Sequence, residues 1–226
     1  MPKAIRKHSP TSWRSARDYR SWVGRKDTIS GLIIDGLAAN AGRMRAFARE
    51  IVELQPDVIL ARSTPATAAL KSETRTIPIV FTTVSDPIGS KFVANLARPG
   101  GNITGFTNFE SSMGGKWLGL LKEIAPHLTR TGMMFNPETA PYAQYYLRPF
   151  EDAARSFAVE PISAPVHDDA EIIAVSSLAR GSNAGLIVLP DAFTTSNHRR
   201  QIIEQAARQR VPAIYPYRFM AANGGL

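Results

Sequence analysis

The stretch Leu54-Gln55-Pro56-Asp57-Val58-Ile59-Leu60-Ala61-Arg62-Ser63-Thr64-Pro65 decides the fold. Pro56 and Asp57 end the segment before them. Val58 to Ala61 is a continuous apolar run of strand length, of the kind buried on both faces of a parallel sheet. Ser63-Thr64-Pro65 then has the chemistry of a helix start, with a hydroxyl cap and a proline in the first turn. A helix stop, a short strand and a helix start follow one another with almost no spacer. That is the grammar of repeated β-α-β units.

Working outward, the same grammar continues. Gly42 to Leu54 places Met44, Phe47, Ala48, Ile51 and Val52 at 3–4 spacing, which predicts an amphipathic helix. Ala66 to Ser72 is the helix after the cap. Ile77 to Val84 is the next strand. Ser85-Asp86-Pro87 reads as a second cap, starting a helix that runs to Ala97 and is stopped by Pro99-Gly100-Gly101. Asn102 to Thr107 is a short strand. The cycle then restarts. Helices are predicted over 115–125, 142–157, 168–178 and 197–208, strands over 131–135, 159–166, 184–189 and 211–215, and a short helix after Tyr217.

About three strands precede residue 108 and about four follow it. The expected fold class is α/β, with two Rossmann-like lobes built on parallel sheets. Phe106 to Gly114 is an irregular crossing, read as a hinge. The expected division is a basic extension over 1–39, a first lobe over 40–108, a second over 109–216, and a segment over 217–226 returning to the first.

Composition narrows the function classes. Of the 226 residues, 44% are hydrophobic, an ordinary share for a globular protein. No run approaches the roughly 18 apolar residues of a membrane helix. The chain has no cysteine, which removes disulfides, thiol nucleophiles and thiolate metal sites together. The net charge of +8 is concentrated at one end. Residues 1–26 carry eight Lys or Arg and the single acid Asp18, hence +7, which leaves +1 for all the rest. This head lacks helical periodicity. It reads as an unstructured extension more readily than as an arm for nucleic acid or anionic membrane. It also lacks the apolar core of an export signal.

In open parallel sheets, ligands bind beyond the C-terminal ends of strands. The residues that follow the predicted strands include Arg62, Ser63 and Thr64, then Thr83, Ser85 and Asp86, then Thr107 and Asn108. In the second half they are Asn136 and Glu138, His167, Asp191, and Tyr215 with Tyr217. Hydroxyls, amides and aromatic rings dominate. They suit hydrogen bonding and stacking of a small polar ligand and suit catalysis poorly. A nucleophile elbow, a P-loop and a GxGxxG fingerprint are all missing. His8, His127, His167 and His198 have no metal-ligand spacing. His167 alone follows a strand. No cofactor and no metal are implied. Asp86 reads first as a helix cap. Free N–H groups at the Ser63-Thr64-Pro65 helix start would suit a carboxylate.

Several strings resemble a known family. They are LQPDVILA (54–61), Ser63-Thr64-Pro65, IPIVF (77–81), Ser85-Asp86-Pro87 and LARPGGNITG (96–105). Lys116-Trp117-Leu118, KEIAP (122–126), Phe135-Asn136-Pro137, Leu189-Pro190-Asp191 and the final RVPAIY (210–215) to Gly224-Gly225-Leu226 agree. Together, over about residues 40–226, they resemble the ABC-transporter substrate-binding proteins of the tryptophan/tyrosine-import-like group. LARPGGNITG is the specific string. The resemblance implies a type I periplasmic-binding-protein fold whose lobes close on a ligand, a non-catalytic role, and delivery of a small, amino-acid-like ligand to ABC permease subunits. It implies ligand contacts at Ser63, Thr64, Thr83, Ser85, Thr107, Asn136, Asp191 and Tyr217. It implies a periplasmic monomer with no nucleic-acid partner, although this chain carries no signal peptide. Against the family pattern the chain is expected to be truncated at both ends, with an incomplete first lobe in which Leu32-Ile33-Ile34 is the one candidate strand before residue 40. The alternatives are a cytoplasmic ligand-sensing regulator of the same fold, a non-functional fragment, and, least favoured, an α/β enzyme.

Overall fold

The computed structural model describes residues 31–35, 41–178 and 183–225. The basic head falls outside these. Eight strands form two four-stranded sheets among the described residues. The first contains β1 (Gly31–Asp35), β2 (Val58–Arg62), β3 (Ile79–Val84) and β4 (Ile103–Thr107), all parallel and in that order. Helices α1 (Ala41–Glu53) and α2 (Thr64–Glu73) connect its strands. The second sheet contains β5 (Arg130–Phe135), β6 (Glu160–Pro165), β7 (Ala184–Val188) and β8 (Ala213–Ile214), parallel in the order β6-β5-β7-β8. Its helices are α3 (Met113–Ile124), α4 (Ala143–Ser156), α5 (Asp169–Leu178) and α6 (Arg199–Gln209), with a short α7 (Arg218–Ala222). The extra strand relative to the expected count is β1, which pairs with β2 at Leu32–Ile59 and Ile33–Leu60.

Each sheet has its own core. Ala48 and Ile51 of α1, and Ala66, Ala69 and Leu70 of α2, pack with Ile59, Ala61, Ile79 and Phe81. Met44, Phe47 and Val52 join them, so the 3–4 spacing of α1 marks its buried face. Burial alternates along β2, where Ile59 and Ala61 are buried while Val58 and Leu60 are half-buried. Continuous burial was expected there. Both connecting helices pack into the same cluster, so alternate side chains receive less cover. The second sheet is covered on both faces. Met133 packs with Trp117, Leu118, Leu121, Tyr146, Leu147 and Phe150, whereas its neighbour Met134 packs with Ile172, Ile202, Val211 and Met220. The segment expected to return to the first lobe thus places Met220 in the second sheet's core.

Two other expectations change. Residues 87–97 form turns and not a helix. Asp86 does cap, accepting the Gly89 N–H at 2.8 Å, but Lys91 turns left-handed (φ 57°) and breaks the ladder. Phe92 and Val93, after the turn, are buried in the first sheet's core. In α3, Trp117, Leu118 and Leu121 are buried, while Leu120 and Ile124, at the edge of that face, are exposed.

The join between α3 and α4 is close. A Cβ on Gly114 would stand 2.2 Å from the Tyr146 carbonyl oxygen, so only glycine fits there. This contact fixes the N-terminal end of α3, where the chain enters the second sheet, against the half of α4 that carries Tyr145 and Tyr146.

Candidate functional site

The C-terminal ends of the strands bring the two sheets together. Ser85 follows β3 and is 1% exposed. Its hydroxyl lies 2.9 Å from the Tyr146 hydroxyl on α4. The Tyr146 hydroxyl also donates to the Phe109 carbonyl at 3.4 Å, in the crossing between the sheets. Asn108, directly after β4, donates its side-chain amide to the Tyr217 hydroxyl at 2.7 Å. Aromatic rings surround these bonds. Phe109 stands 5.7 Å from Trp117 and 5.8 Å from Tyr217, and Trp117 stands 5.4 Å from Tyr146. Tyr145 and Tyr142 meet the Tyr146 ring edge-on at 5.1 and 6.2 Å.

Sequence explains how the first sheet presents Ser85. Its N–H donates to the Thr64 hydroxyl at 3.1 Å, and that hydroxyl donates to the Ser85 carbonyl at 3.3 Å. Thr64 opens α2, so one residue of the cap string pins the neighbouring loop. Ser63 caps α2 by accepting the Ala66 N–H at 3.4 Å, with φ 102°. Thr83 is left-handed at φ 57°, beside a register shift between Phe81 and Val84. Thr107 ends β4 and is exposed.

Asn136 and Asp191 are buried within the second sheet's loops, at 3% and 2% exposure. Asn136 donates to the Val166 carbonyl at 2.9 Å and accepts the Glu138 and Thr139 N–H groups at 3.0 Å each. The Asp191 carboxylate accepts the Thr139 hydroxyl at 2.8 Å, the Thr194 N–H at 2.9 Å, the Thr194 hydroxyl at 3.0 Å and the Asn136 N–H at 3.4 Å. Burial raises the Asp191 pKa, and the Thr194, Thr139 and Asn136 donors oppose that rise. The two residues lock the exits of β5 and β7 together, and Asp191 opens the π-helical turn Phe193–Asn197.

Of the eight residues implied by resemblance, the structure therefore brings Ser85 and Tyr217 to the junction. Thr64, Asn136 and Asp191 serve loop closure behind it. Tyr146, Phe109 and Trp117 were not among the candidates. Tyr146 lies in the first turn of α4 and not at the exit of a strand, so strand-exit reasoning does not reach it. The available signal was the tyrosine cluster Tyr142, Tyr145 and Tyr146. Burial raises the pKa of Tyr142, Tyr145, Tyr146 and Tyr217 alike. His167 pairs with Glu171 at 2.8 Å on the exposed start of α5, and His198 stacks on Phe193 with ring centroids 3.8 Å apart. No metal-binding cluster of His, Asp or Glu occurs among the described residues, and none of their helices is long and apolar enough to cross a membrane.

Two parallel α/β sheets meeting at their strand exits define a binding-protein architecture of the type I periplasmic kind. The chain matches the family described as ABC transporter substrate binding protein over residues 31–226, and it belongs to that family. The match reaches back to include β1. The tyrosine-binding protein of Clostridioides difficile (strain R20291) is 28% identical over 184 residues, covering 80% of this chain and 52% of the relative. A conserved domain protein from Vibrio cholerae superposes with a TM-score of 0.74 at 28% identity, covering 83% of this chain and 62% of that one. A domain from Streptococcus pneumonia, solved in complex with L-Trp, shares the fold at the same TM-score of 0.74 and 20% identity, with 83% and 62% covered. The chain spans about half the length of the curated relative and about three fifths of these solved chains.

Proposed function

We propose that this chain is the substrate-binding component of an ABC-type importer, binding a small polar organic ligand of amino-acid type in a cleft between two lobes. In this reading the lobes are 40–108 and 109–216, hinged near Phe106–Gly114. The bound ligand is presented to ABC permease subunits on the periplasmic side of the membrane. The chain acts as a monomer, without catalysis and without nucleic acid.

The observation that carries the reading is the meeting of strand exits. Ser85 and Asn108 of the first sheet face Tyr146 and Tyr217 of the second, inside a wall of aromatic rings. Such a junction offers neutral hydrogen-bonding groups and stacking faces, with Arg62 and Asp191 near enough for their opposite charges to act on Tyr217, which suits a zwitterion carrying an apolar or aromatic side chain. Ser63, Thr83, Ser85, Thr107 and Tyr217 are the proposed ligand contacts, with Thr64, Asn136 and Asp191 holding the loops that present them. Relatives that bind tyrosine and carry L-Trp are consistent with this ligand class.

Titration calorimetry of the intact chain tests the reading. L-tyrosine or L-tryptophan should bind with one site per chain, and glutamate and lysine more weakly. Heats indistinguishable from dilution for all four would refute it.

A further inference from the structure

We propose that the Ser85 and Tyr146 hydroxyls form an interlobe clasp that sets how far the two sheets stand apart, with Thr64 as its positioning residue. Each side of the bond is held rigidly by its own sheet. The Tyr146 ring is fixed from within the second sheet's layer by Trp117, Tyr142 and Tyr145 at 5.4, 6.2 and 5.1 Å. Its backbone is fixed by the Gly114 approach. A phenylalanine would satisfy that packing equally well. The hydroxyl adds only its two partners, and both lie outside the helix layer. One is Ser85 of the first sheet at 2.9 Å and the other is the Phe109 carbonyl in the crossing at 3.4 Å.

The first sheet shows the complementary arrangement. Ser85 is bracketed by two residues in the left-handed region, Thr83 at φ 57° and Asp86 at φ 47°. A β-branched residue seldom adopts that conformation, and strained backbone persists only where its surroundings over-determine it. The β3–β4 register shift between Phe81 and Val84 falls at the same place. Thr64 then fixes the peptide of Ser85 from both its N–H and its carbonyl. The strain and the two Thr64 bonds aim one hydroxyl, and it points at the other sheet. The Asn108–Tyr217 bond at 2.7 Å closes the hinge side of the same gap.

The absence of cysteine makes the test direct. Spin labels on Ala68→Cys in α2 and Glu151→Cys in α4, both exposed positions, report the separation of the sheets by double electron–electron resonance. With no ligand added, Tyr146→Phe should move the distribution to longer distances, raising the ratio of long to short separations about threefold to tenfold, the range for loss of one buried hydrogen bond. Ser85→Ala should give the same shift, and the double variant no more than either alone. Ser176→Ala, whose buried hydroxyl bonds only the Ile172 carbonyl within α5, should leave the distances unchanged. Unchanged distributions for Tyr146→Phe and Ser85→Ala, additive shifts in the double variant, or an equal shift from Ser176→Ala would each overturn the clasp. If Tyr146→Phe does not fold, Ser85→Ala decides alone. The distances are read without ligand, so a failure of L-tyrosine to bind in the calorimeter counts against the proposed function and leaves this result standing.

Discussion

The Asn108 side-chain amide donates to the Tyr217 hydroxyl at 2.7 Å, joining residues 109 positions apart in the chain. One follows the last strand of the first sheet and the other follows the last strand of the second, so a single bond ties the two strand exits. Burial raises the Tyr217 pKa, and the Asn108 donor partly offsets that rise. Asn108→Ala would leave a largely buried hydroxyl without its donor. We expect a loss of about 1 kcal/mol, or a melting temperature lower by roughly 2–4 °C, read by calorimetric unfolding. Tyr217→Phe removes the hydroxyl itself and should cost less in stability.

Asp191 gives a pH dependence with a definite sign. Burial raises its folded pKa above the ordinary 3.8, so the folded chain holds this proton more tightly than the unfolded chain does. Its contribution to stability is therefore full below the unfolded value and is lost as pH rises through the folded one. The stability of the parent relative to Asp191→Asn should fall as pH rises from about 3.8 toward neutrality, measured by denaturant unfolding at several pH values. Asp191→Ala removes the acceptor of the Thr139 hydroxyl and of the Thr194 and Asn136 N–H groups, while the Thr194 hydroxyl keeps the Leu189 carbonyl, and should cost roughly 2–4 kcal/mol at neutral pH.

The tyrosines set the alkaline limit. Tyr142, Tyr145, Tyr146, Tyr215 and Tyr217 all have pKa values raised by burial, with Tyr215 pushed up to about 12. A folded pKa above the unfolded value of 10.0 gives stability that is present below pH 10.0 and lost above it. Tyrosinate absorbance should therefore rise together with loss of helical circular dichroism above that pH. Ionisation of these five residues while the chain stays folded would contradict the packing described here.

Much of the architecture was legible in the sequence because parallel α/β units state their period and punctuation locally. Pro56-Asp57 and Ser63-Thr64-Pro65 bracket β2, and Met44, Phe47 and Ile51 mark the buried face of α1. The failures share a cause, in that the deciding contact was remote in sequence. Residues 87–97 carry a cap at Asp86, but the chain turns left-handed at Lys91 and buries Phe92 and Val93 in the first core. Strand ends located Ser85, Asn108 and Tyr217. Only the neighbouring Tyr142 and Tyr145 marked Tyr146, because the partner of its hydroxyl is 61 residues away. Asn136 and Asp191 have the composition of ligand contacts, yet their hydrogen bonds run to their own loops, a distinction that spacing does not carry.

Thr131 is an opportunity in the second core. It is fully buried, and its hydroxyl has no hydrogen-bond partner among the described residues. Valine has nearly the same shape without the unpaired polar atom. Thr131→Val should stabilise the chain by about 1 kcal/mol, raising its melting temperature by roughly 2–4 °C without altering ligand binding.

The central claim is that the strand exits form a site for a small amino-acid-like ligand. A thermal-stability screen of the intact chain against amino acids, short peptides and small organic acids tests it most directly. A ligand present at about 100 times its Kd should add roughly 2.7 kcal/mol of stability, and Ser85→Ala together with Tyr217→Ala should remove that gain. A screen in which no compound raises the melting temperature, or in which the gain survives both substitutions, would contradict the account.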